Sequence, residues 1–434
     1  MKDELSKSIK TPGAVLMGLG SILGTGLFVS IAIATQIAGN GIIIAIVVAG
    51  ILATFNGLSS AQLAAAYPYS GGTYEYGNRI LGSYWGFSAG WMFLIAKSAS
   101  AATAVLGCVG YLYYLFGIEV SGGIFIATAF FILIIITALV SKGIKRSNTA
   151  NKLIVSLTLF GLITLVFFGF YEAGIPVKPI KASFIDFSTD SILYGAALMF
   201  VAYTGYGRIA TLSEEVVNPA KTIPKAIIVS MILVGIIYLS VSLTAIHVMG
   251  ADAFGETADG EIAPLMIVAQ TLAIPGLGTL ISIAAITAML GVLLNLILGL
   301  SRVILAMARR RDMPKFLSKI HSQSKSPVAS VWVTGLIIAA LVLTGDISFT
   351  WTFSAFTVLI YYAITNLSAF MLDVEKRLYS RWIPFLGLSG CLFLAFWIEP
   401  GIWILGLILL LVGIGWHTIS LKYQKATQNA EENE

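Results

Sequence analysis

Long apolar segments restrict this chain to the membrane classes of protein. Twelve runs of mostly apolar residues lie at approximately 13–38, 41–66, 84–115, 123–140, 151–171, 190–213, 223–249, 273–307, 328–344, 348–371, 383–398 and 401–420. A spanning helix needs about 20 such residues. None of the runs alternates in the manner of an outer-membrane barrel, and lipid offers no partner to backbone polar groups, so we expect α-helices. The sequence predicts an all-α integral membrane protein with about twelve transmembrane helices.

Charged residues are too few to cover a water-exposed surface. Lys, Arg, Asp and Glu together make up 11% of the 434 residues, whereas soluble domains carry about 25%. The net charge of +5 would suggest nucleic acid as a partner of a soluble protein, but here we attribute it to cytoplasmic loops. The two cysteines, Cys108 and Cys391, lie inside apolar runs, which argues against a disulfide framework and a cysteine metal site. We expect no metal and no cofactor.

Basic loop residues sort to one side of the twelve spans. Loops on the side of the termini contain Lys145, Arg310 and Lys376 among many others, whereas the opposite loops contain Lys178 and Lys181 together with most of the loop acids. The positive-inside rule therefore predicts cytoplasmic termini and a multi-pass protein of the cell membrane. We expect one transmembrane domain over residues 1–420, no removable signal peptide, and a disordered cytoplasmic tail over 421–434.

Two glycine clusters occupy corresponding positions in the first and sixth spans. The first span reads GLGSILGTGLF over 18–28, and the sixth reads FVAYTGYGRIA over 200–210. Glycine costs about 1 kcal/mol in a helix interior, which favours local unwinding; close helix packing through small residues is the alternative. Each cluster opens a set of five spans, and an odd number of spans inverts the second set. This pattern predicts inverted repeats over about 12–171 and 190–371, followed by extra helices over about 383–420.

Unwound backbone in the middle of a membrane protein creates a binding site for small charged groups. Freed N–H groups at the start of a half-helix attract an anion, and freed carbonyls at the end of the other half attract a cation. Such backbone is tolerated only where it is buried in protein or lines a cavity. A zwitterionic amino acid would satisfy both kinds of group.

Four motifs, in order along the chain, resemble those of the amino acid–polyamine–organocation (APC) superfamily. Residues 20–28 are similar to its GxIxGxGIF signature, and residues 67–74 resemble YPxSGGxY. Residues 214–224 resemble EExxNPxxxxP, and residues 302–314 resemble RxxxAMARDGxLP. The resemblance implies a LeuT-like fold of two inverted five-helix repeats plus two trailing helices, with helices 1 and 6 broken at mid-membrane. It also implies amino-acid permease activity by alternating access.

The resemblance further implies backbone contacts to the substrate. The carboxylate would meet the amides of Gly24, Thr25 and Gly26; the amine would meet carbonyls of Ser21, Ile22, Val201, Ala202 and Thr204, with the bend at Gly205. Two coupling features of family members lack a clear counterpart. Many sodium-independent family members carry a lysine in the middle of span 5, at a position that corresponds here to about Val155 or Ser156. The hydroxyls of a second sodium site are missing from the stretch 287–291.

Two cations lie at membrane depth instead. Lys97 is in span 3 and Arg208 directly follows the glycines of span 6. A charge in lipid is costly, so such residues normally face a cavity and mark a pathway. Lys97 is a structural cation at the first break, a contact for substrate or a coupled proton, or a side chain that snorkels to the interface. Arg208 is a structural partner of nearby acids or a substrate contact. Tyr203 and Tyr206 flank the second break and are gate candidates, although phenols in bundles commonly bond a neighbouring helix.

These features favour a symporter that couples uptake of neutral or acidic amino acids to protons, because like charges repel cationic substrates. A sodium- and proton-independent exchanger or uniporter is the alternative, and a non-transporting amino-acid sensor is a third interpretation. An enzyme is disfavoured because the sequence has no HExxH, GxSxG or Walker A motif. The expected partners are the amino-acid substrate, the lipid bilayer and protons, with no nucleic acid; the oligomeric state is left open.

Overall fold

The described part of the chain is mainly helical. The computed structural model describes residues 9–67, 71–119, 122–143, 148–171, 188–207, 209, 216–258 and 263–431. In order, its α-helices are α1 (Thr11–Ile22), α2 (Thr25–Phe28), α3 (Ser30–Ala38), α4 (Ile42–Ala66), α5 (Thr73–Ile80), α6 (Ser83–Phe116), α7 (Gly122–Ser141), α8 (Asn148–Tyr171), α9 (Thr189–Tyr203), α10 (Pro219–Met249), α11 (Ala251–Glu256), α12 (Pro264–Thr271), α13 (Leu277–Arg309), α14 (Val328–Val342), α15 (Ile347–Phe370), α16 (Trp382–Ala395) and α17 (Pro400–Glu431).

Eight helical segments of the described chain are long and apolar enough to cross a membrane. They are Ser30–Ala66, Ser83–Phe116, Gly122–Ser141, Thr149–Tyr171, Pro219–Met249, Leu277–Arg309, Ile347–Phe370 and Pro400–Lys422. Three shorter apolar helices, α1, α14 and α16, fall within other predicted spans. The chain is therefore a multi-pass helical membrane protein, and the count of twelve spans stays a prediction.

Local sequence explains several helix boundaries. Ser188 caps α9 by accepting a hydrogen bond from the Ser191 amide at 3.1 Å, and Asp346 caps α15 by accepting one from the Phe349 amide at 2.8 Å. Gly117 ends α6 in the left-handed conformation, with φ of 63°, which costs glycine little. These caps fix where the long helices start and stop.

Helix α6 lies at the centre of the bundle and organises the fold. It packs against α13 and α15 along its length, whereas α4 packs against α9 and α10. In the most apolar window of α6, 89% of the residues are buried within the protein, compared with 22% for the last candidate span. A residue that points inward from α6 therefore faces protein or a cavity, and this property decides the environment of Lys97.

The last helix extends into the C-terminal stretch, for which a disordered tail stays a prediction. Helix α17 runs to Glu431, although the sequence predicts a disordered tail from residue 421. Residues 416–431 contain neither glycine nor proline, and nothing in this stretch interrupts a helix that starts in the preceding apolar run. The polar composition that suggested disorder is here compatible with a helical extension.

Candidate functional site

The first predicted break coincides with an interruption of the helix. Helix α1 ends at Ile22; Leu23 is extended with φ −75° and ψ 92°, and Gly24 has φ −166° and ψ −126°. The chain resumes as the single-turn helix α2 at Thr25 and then as α3 at Ser30. The carbonyls at the end of α1 and the amides at the start of α2 therefore lie on either side of a two-residue gap.

The second glycine cluster changes helix type. Helix α9 ends at Tyr203, and Thr204–Tyr206 form a 3₁₀ turn. Gly207 follows in helical conformation. Residues 208 and 210–215, which include Arg208 and the two glutamates proposed to pair with it, lie outside the described residues.

The interrupted first segment and the 3₁₀ turn of the second segment touch one another through their glycines. A β-carbon on Gly205 would lie 2.4 Å from the Ser21 carbonyl oxygen, and one on Gly26 would lie 2.7 Å from the Ala202 α-carbon. Neither distance leaves room for a side chain. Close packing therefore holds for Gly26 and Gly205, whereas the interruption of the first segment lies at Leu23 and Gly24.

A cavity of about 290 Å³ lies at this crossing. That volume is at the small end of the range for small-molecule sites, which is about 300–1,000 Å³. Its wall includes most of the residues named from sequence for substrate contact: Ser21, Ile22, Thr25, Gly26, Val201, Ala202, Thr204 and Gly205. Gly24 is not part of the wall, and its α-carbon instead faces Val292.

The cavity extends from the crossing toward one end of the bundle. Gly71 and Gly72 before α5 line it there, as does Arg302 near the end of α13. Phe28, Phe200 and Phe353 do not line the cavity, and each is exposed by 2% or less. The cavity thus faces the end of the bundle where α1 starts and where α4 ends.

Lys97 lies in the cavity wall with neutral partners. Its side chain is buried, and its Nζ donates a hydrogen bond to Thr204 Oγ1 at 2.8 Å. The Thr204 hydroxyl in turn donates to the Val201 carbonyl at 2.7 Å. Nζ also lies 5.9 Å from the ring centroid of Tyr361, a favourable cation–π distance. Among the described residues, no Asp or Glu lines the cavity.

Tyr238 is a site residue that the sequence interpretation missed. From α10 its hydroxyl donates to the Ala202 carbonyl at 2.9 Å and lies 3.4 Å from the Ile22 carbonyl oxygen. It therefore links the ends of α1 and α9 from the side away from the cavity. A lone tyrosine in the middle of an otherwise apolar span was the available signal, because a buried phenol needs a polar partner.

The gate candidates lie away from the cavity wall. Tyr203 donates to the Ile46 carbonyl at 3.3 Å and packs edge-on against Tyr238. Tyr206 is buried beside Tyr362, with ring centroids 5.6 Å apart. Tyr361 and Tyr362, whose centroids are 4.3 Å apart, instead form the aromatic part of the wall.

A polar cluster holds α5 at the open end of the cavity. Glu75 accepts two hydrogen bonds from Arg310, at 2.8 and 2.9 Å, and a third from Arg79. Tyr74 donates to Asp312 Oδ2, and His417 Nδ1 lies 3.1 Å from Asp312 Oδ1. Burial and the neighbouring carboxylate raise the pKa of Tyr74, so its hydroxyl stays protonated and remains a donor. These contacts join α5 to the end of α13 and to α17.

Comparisons with known proteins agree with this architecture. A family model described as amino acid permease matches residues 13–431. An uncharacterized transporter of Mycobacterium tuberculosis is 38% identical over 398 residues, covering 91% of this chain and 87% of the relative. The branched-chain amino acid permease BcaP of Bacillus subtilis is 30% identical over 93% of this chain and 87% of its own length. A methylthioribose transporter of the same species is 27% identical, covering 78% and 75%. The chain belongs to the amino acid permease family of the APC superfamily.

Proposed function

We propose that this permease is a secondary active transporter that takes up neutral or acidic amino acids with protons, by alternating access. The crossing of the two interrupted segments in the cavity wall carries the proposal. Thr25 and Gly26, whose amides are the proposed donors, and Ser21 and Val201, whose carbonyls are the proposed acceptors, all line one small cavity. A zwitterion needs donors and acceptors in that arrangement.

The charges of the wall support the proposed substrate class. Lys97 and Arg302 both line the cavity, and no acidic residue of the described chain does. A cationic side chain on the substrate would meet like charge in a low-dielectric space without a compensating carboxylate. The relative named a branched-chain amino acid permease is compatible with a neutral substrate.

We further propose that the described conformation opens to the cytoplasm. Its cavity reaches the end of the bundle that carries the basic loop after α13, which includes Arg310 and Arg311. The positive-inside rule assigns such loops, and with them both termini, to the cytoplasm of the cell membrane. Two inverted repeats around the crossing, over about 12–171 and 190–371, would let the same site open to the other side.

Lys97 is the proposed coupling residue. Its amine is a titratable group of the wall that contacts the second glycine segment directly, through Thr204. Loss of its proton removes the cation–π contact with Tyr361 and one donor. A change in the charge of Lys97 would therefore alter the hydrogen bond to the turn that forms half of the proposed substrate site.

Uptake into proteoliposomes tests the proposed function. The purified protein is reconstituted, and accumulation of a labelled panel is measured with an inward proton gradient present or collapsed. The panel contains leucine, serine, glutamate and lysine. We expect gradient-dependent accumulation of a neutral or acidic member and no accumulation of lysine, because of the repulsion described above.

Three outcomes would contradict parts of this proposal. Uptake that does not depend on the proton gradient but requires internal substrate would identify an exchanger and would show that transport is not coupled to protons. Binding of an amino acid without movement in either direction would identify a sensor. Accumulation of lysine would show that the proposed substrate class is wrong.

Tyr238→Phe is expected to weaken substrate binding moderately. The change removes the hydroxyl that joins the Ala202 carbonyl to the end of α1, and a neutral hydrogen bond of this kind changes an equilibrium by about two- to tenfold. We expect a rise in KM for uptake of that order with the protein still folded. Tyr171→Phe, at a side chain 73% exposed on α8, is the matched control; an equal effect of both variants would refute the linking role.

A further inference from the structure

A buried amide on α8 contacts the backbone of α1 close to the first interruption. The side chain of Asn151 is 8% exposed, and its Nδ2 donates to the Leu16 carbonyl oxygen at 3.1 Å. Its Oδ1 lies only 2.2 Å from where a β-carbon on Gly20 would be placed. The amide can therefore lie flat on α1 only because residue 20 is glycine.

The geometry of α1 allows it to move as a unit. It has twelve residues, ends at Ile22 and continues into the extended Leu23 and Gly24. Its final turn carries Ser21 and Ile22, which line the cavity. A rotation about the interruption would therefore move one wall of the cavity while α2 and α3 stay in place.

The contact with Asn151 is additional to the bonds that make α1 a helix. Carbonyls within an α-helix accept from the amide four residues later, and a carbonyl oxygen has a second lone pair. The bond from Asn151 to Leu16 uses that second position, so its loss leaves the helix intact. The side chain of the neighbouring Lys152 is exposed and the amide of Asn151 is the polar group that faces α1.

We propose that Asn151 is a positioning residue that latches α1 against α8 and keeps the cavity narrow in this conformation. Release of the amide from Leu16 then accompanies the outward swing of α1 and wider access to the site from this end of the bundle. The inference rests on the proposed alternating access, and it adds a specific contact that controls one of its steps.

A reporter thiol in the cavity measures the latch directly. Both native cysteines are buried, Cys108 with 1% and Cys391 with 0% exposure, so a cysteine introduced at Ser60 in the cavity wall is the reactive thiol. Its alkylation rate is measured in purified protein without substrate. In this background we expect Asn151→Leu to raise the rate about fivefold, the effect of one lost hydrogen bond on an opening equilibrium.

Two further variants keep the test independent of packing at residue 151. Asn151→Asp preserves the shape of the side chain but replaces the donor by an acceptor facing the Leu16 carbonyl, and we expect a similar increase. Gly20→Ala pushes the amide away from α1 and is expected to act in the same direction. Ser156→Leu, at an exposed position of α8, is the matched control and should leave the rate unchanged.

Unchanged or slower alkylation in Asn151→Asp and Gly20→Ala, in protein that elutes as a single folded species, would overturn the latch. This outcome is separable from failure of the proposed function. If alkylation responds as expected but the unmodified protein accumulates no amino acid, the positioning role of Asn151 is supported and the proposed transport function is wrong. If transport is intact and alkylation does not respond, transport stands and the latch is wrong.

Discussion

Lys97→Met is expected to reduce gradient-driven uptake by about tenfold or more, because it removes a charge-assisted hydrogen bond to Thr204. Methionine has a similar length and no charge, so the variant tests the ammonium rather than the volume of the side chain. We expect the remaining transport to be insensitive to the proton gradient. Initial rates with the gradient present and collapsed, measured in proteoliposomes, provide the comparison.

Lys97→Arg separates a structural cation from a coupling group. An arginine keeps a permanent positive charge and does not release its proton in proteins. If Lys97 only holds the turn at Thr204, arginine restores much of the transport; if it carries the coupled proton, accumulation against a gradient stays low while exchange persists. Lys152→Met, at an exposed lysine of α8, is the matched control. Full gradient-driven accumulation in Lys97→Met would refute the coupling role.

Gly205→Ala is expected to abolish high-affinity substrate binding. The new β-carbon would lie 2.4 Å from the Ser21 carbonyl oxygen and 2.5 Å from its carbon, so the end of α1 must shift. Forced overpacking of this kind costs about 1–3 kcal/mol, which corresponds to about five- to 150-fold in affinity if it is borne by the bound state. Substrate-dependent thermal stabilisation of the purified protein measures the loss without requiring transport.

The control for this substitution is a glycine in open space. A β-carbon on Gly415 in α17 would meet no atom within 4 Å, so Gly415→Ala should bind substrate as the unmodified protein does. Gly26→Ala, which presses on the Ala202 backbone from the other segment, should reproduce the loss. Normal binding in Gly205→Ala would show that the crossing of the two segments does not form the substrate site.

The sequence predicts the membrane class and the location of the first interruption well. Low charge and long apolar runs leave helices as the only spanning solution, and this argument needs no tertiary information. The glycines of residues 18–28 mark where α1 ends, because glycine is costly in a helix unless close packing or unwinding requires it. The interruption falls at Leu23 and Gly24, within that motif.

Contacts between helices far apart in sequence are what the sequence does not reveal. Lys152 carries the charge in this part of α8, whereas its uncharged neighbour Asn151 makes the contact to α1. Tyr238 has no local pattern that ties it to residues 202 and 22, and only the packing of α10 against α1 brings it there. The orientation of a helix about its own axis decides which of two adjacent side chains faces a neighbouring helix, and the spacing of glycines does not reveal that orientation.

The buried position of His417 shows how the last helix is connected to the rest of the protein. It lies on α17, outside both predicted repeats, yet it touches Asp312, whose other oxygen accepts from Tyr74 in the cavity wall. Its ring also stacks on Phe87 of α6, with centroids 4.6 Å apart. The last helix is therefore attached to the rim of the cavity rather than appended to a self-sufficient core. Removal of α17 would leave the buried Asp312 with Tyr74 as a side-chain partner but without its contact to His417, so truncation of this permease would have to begin with a change at residue 312.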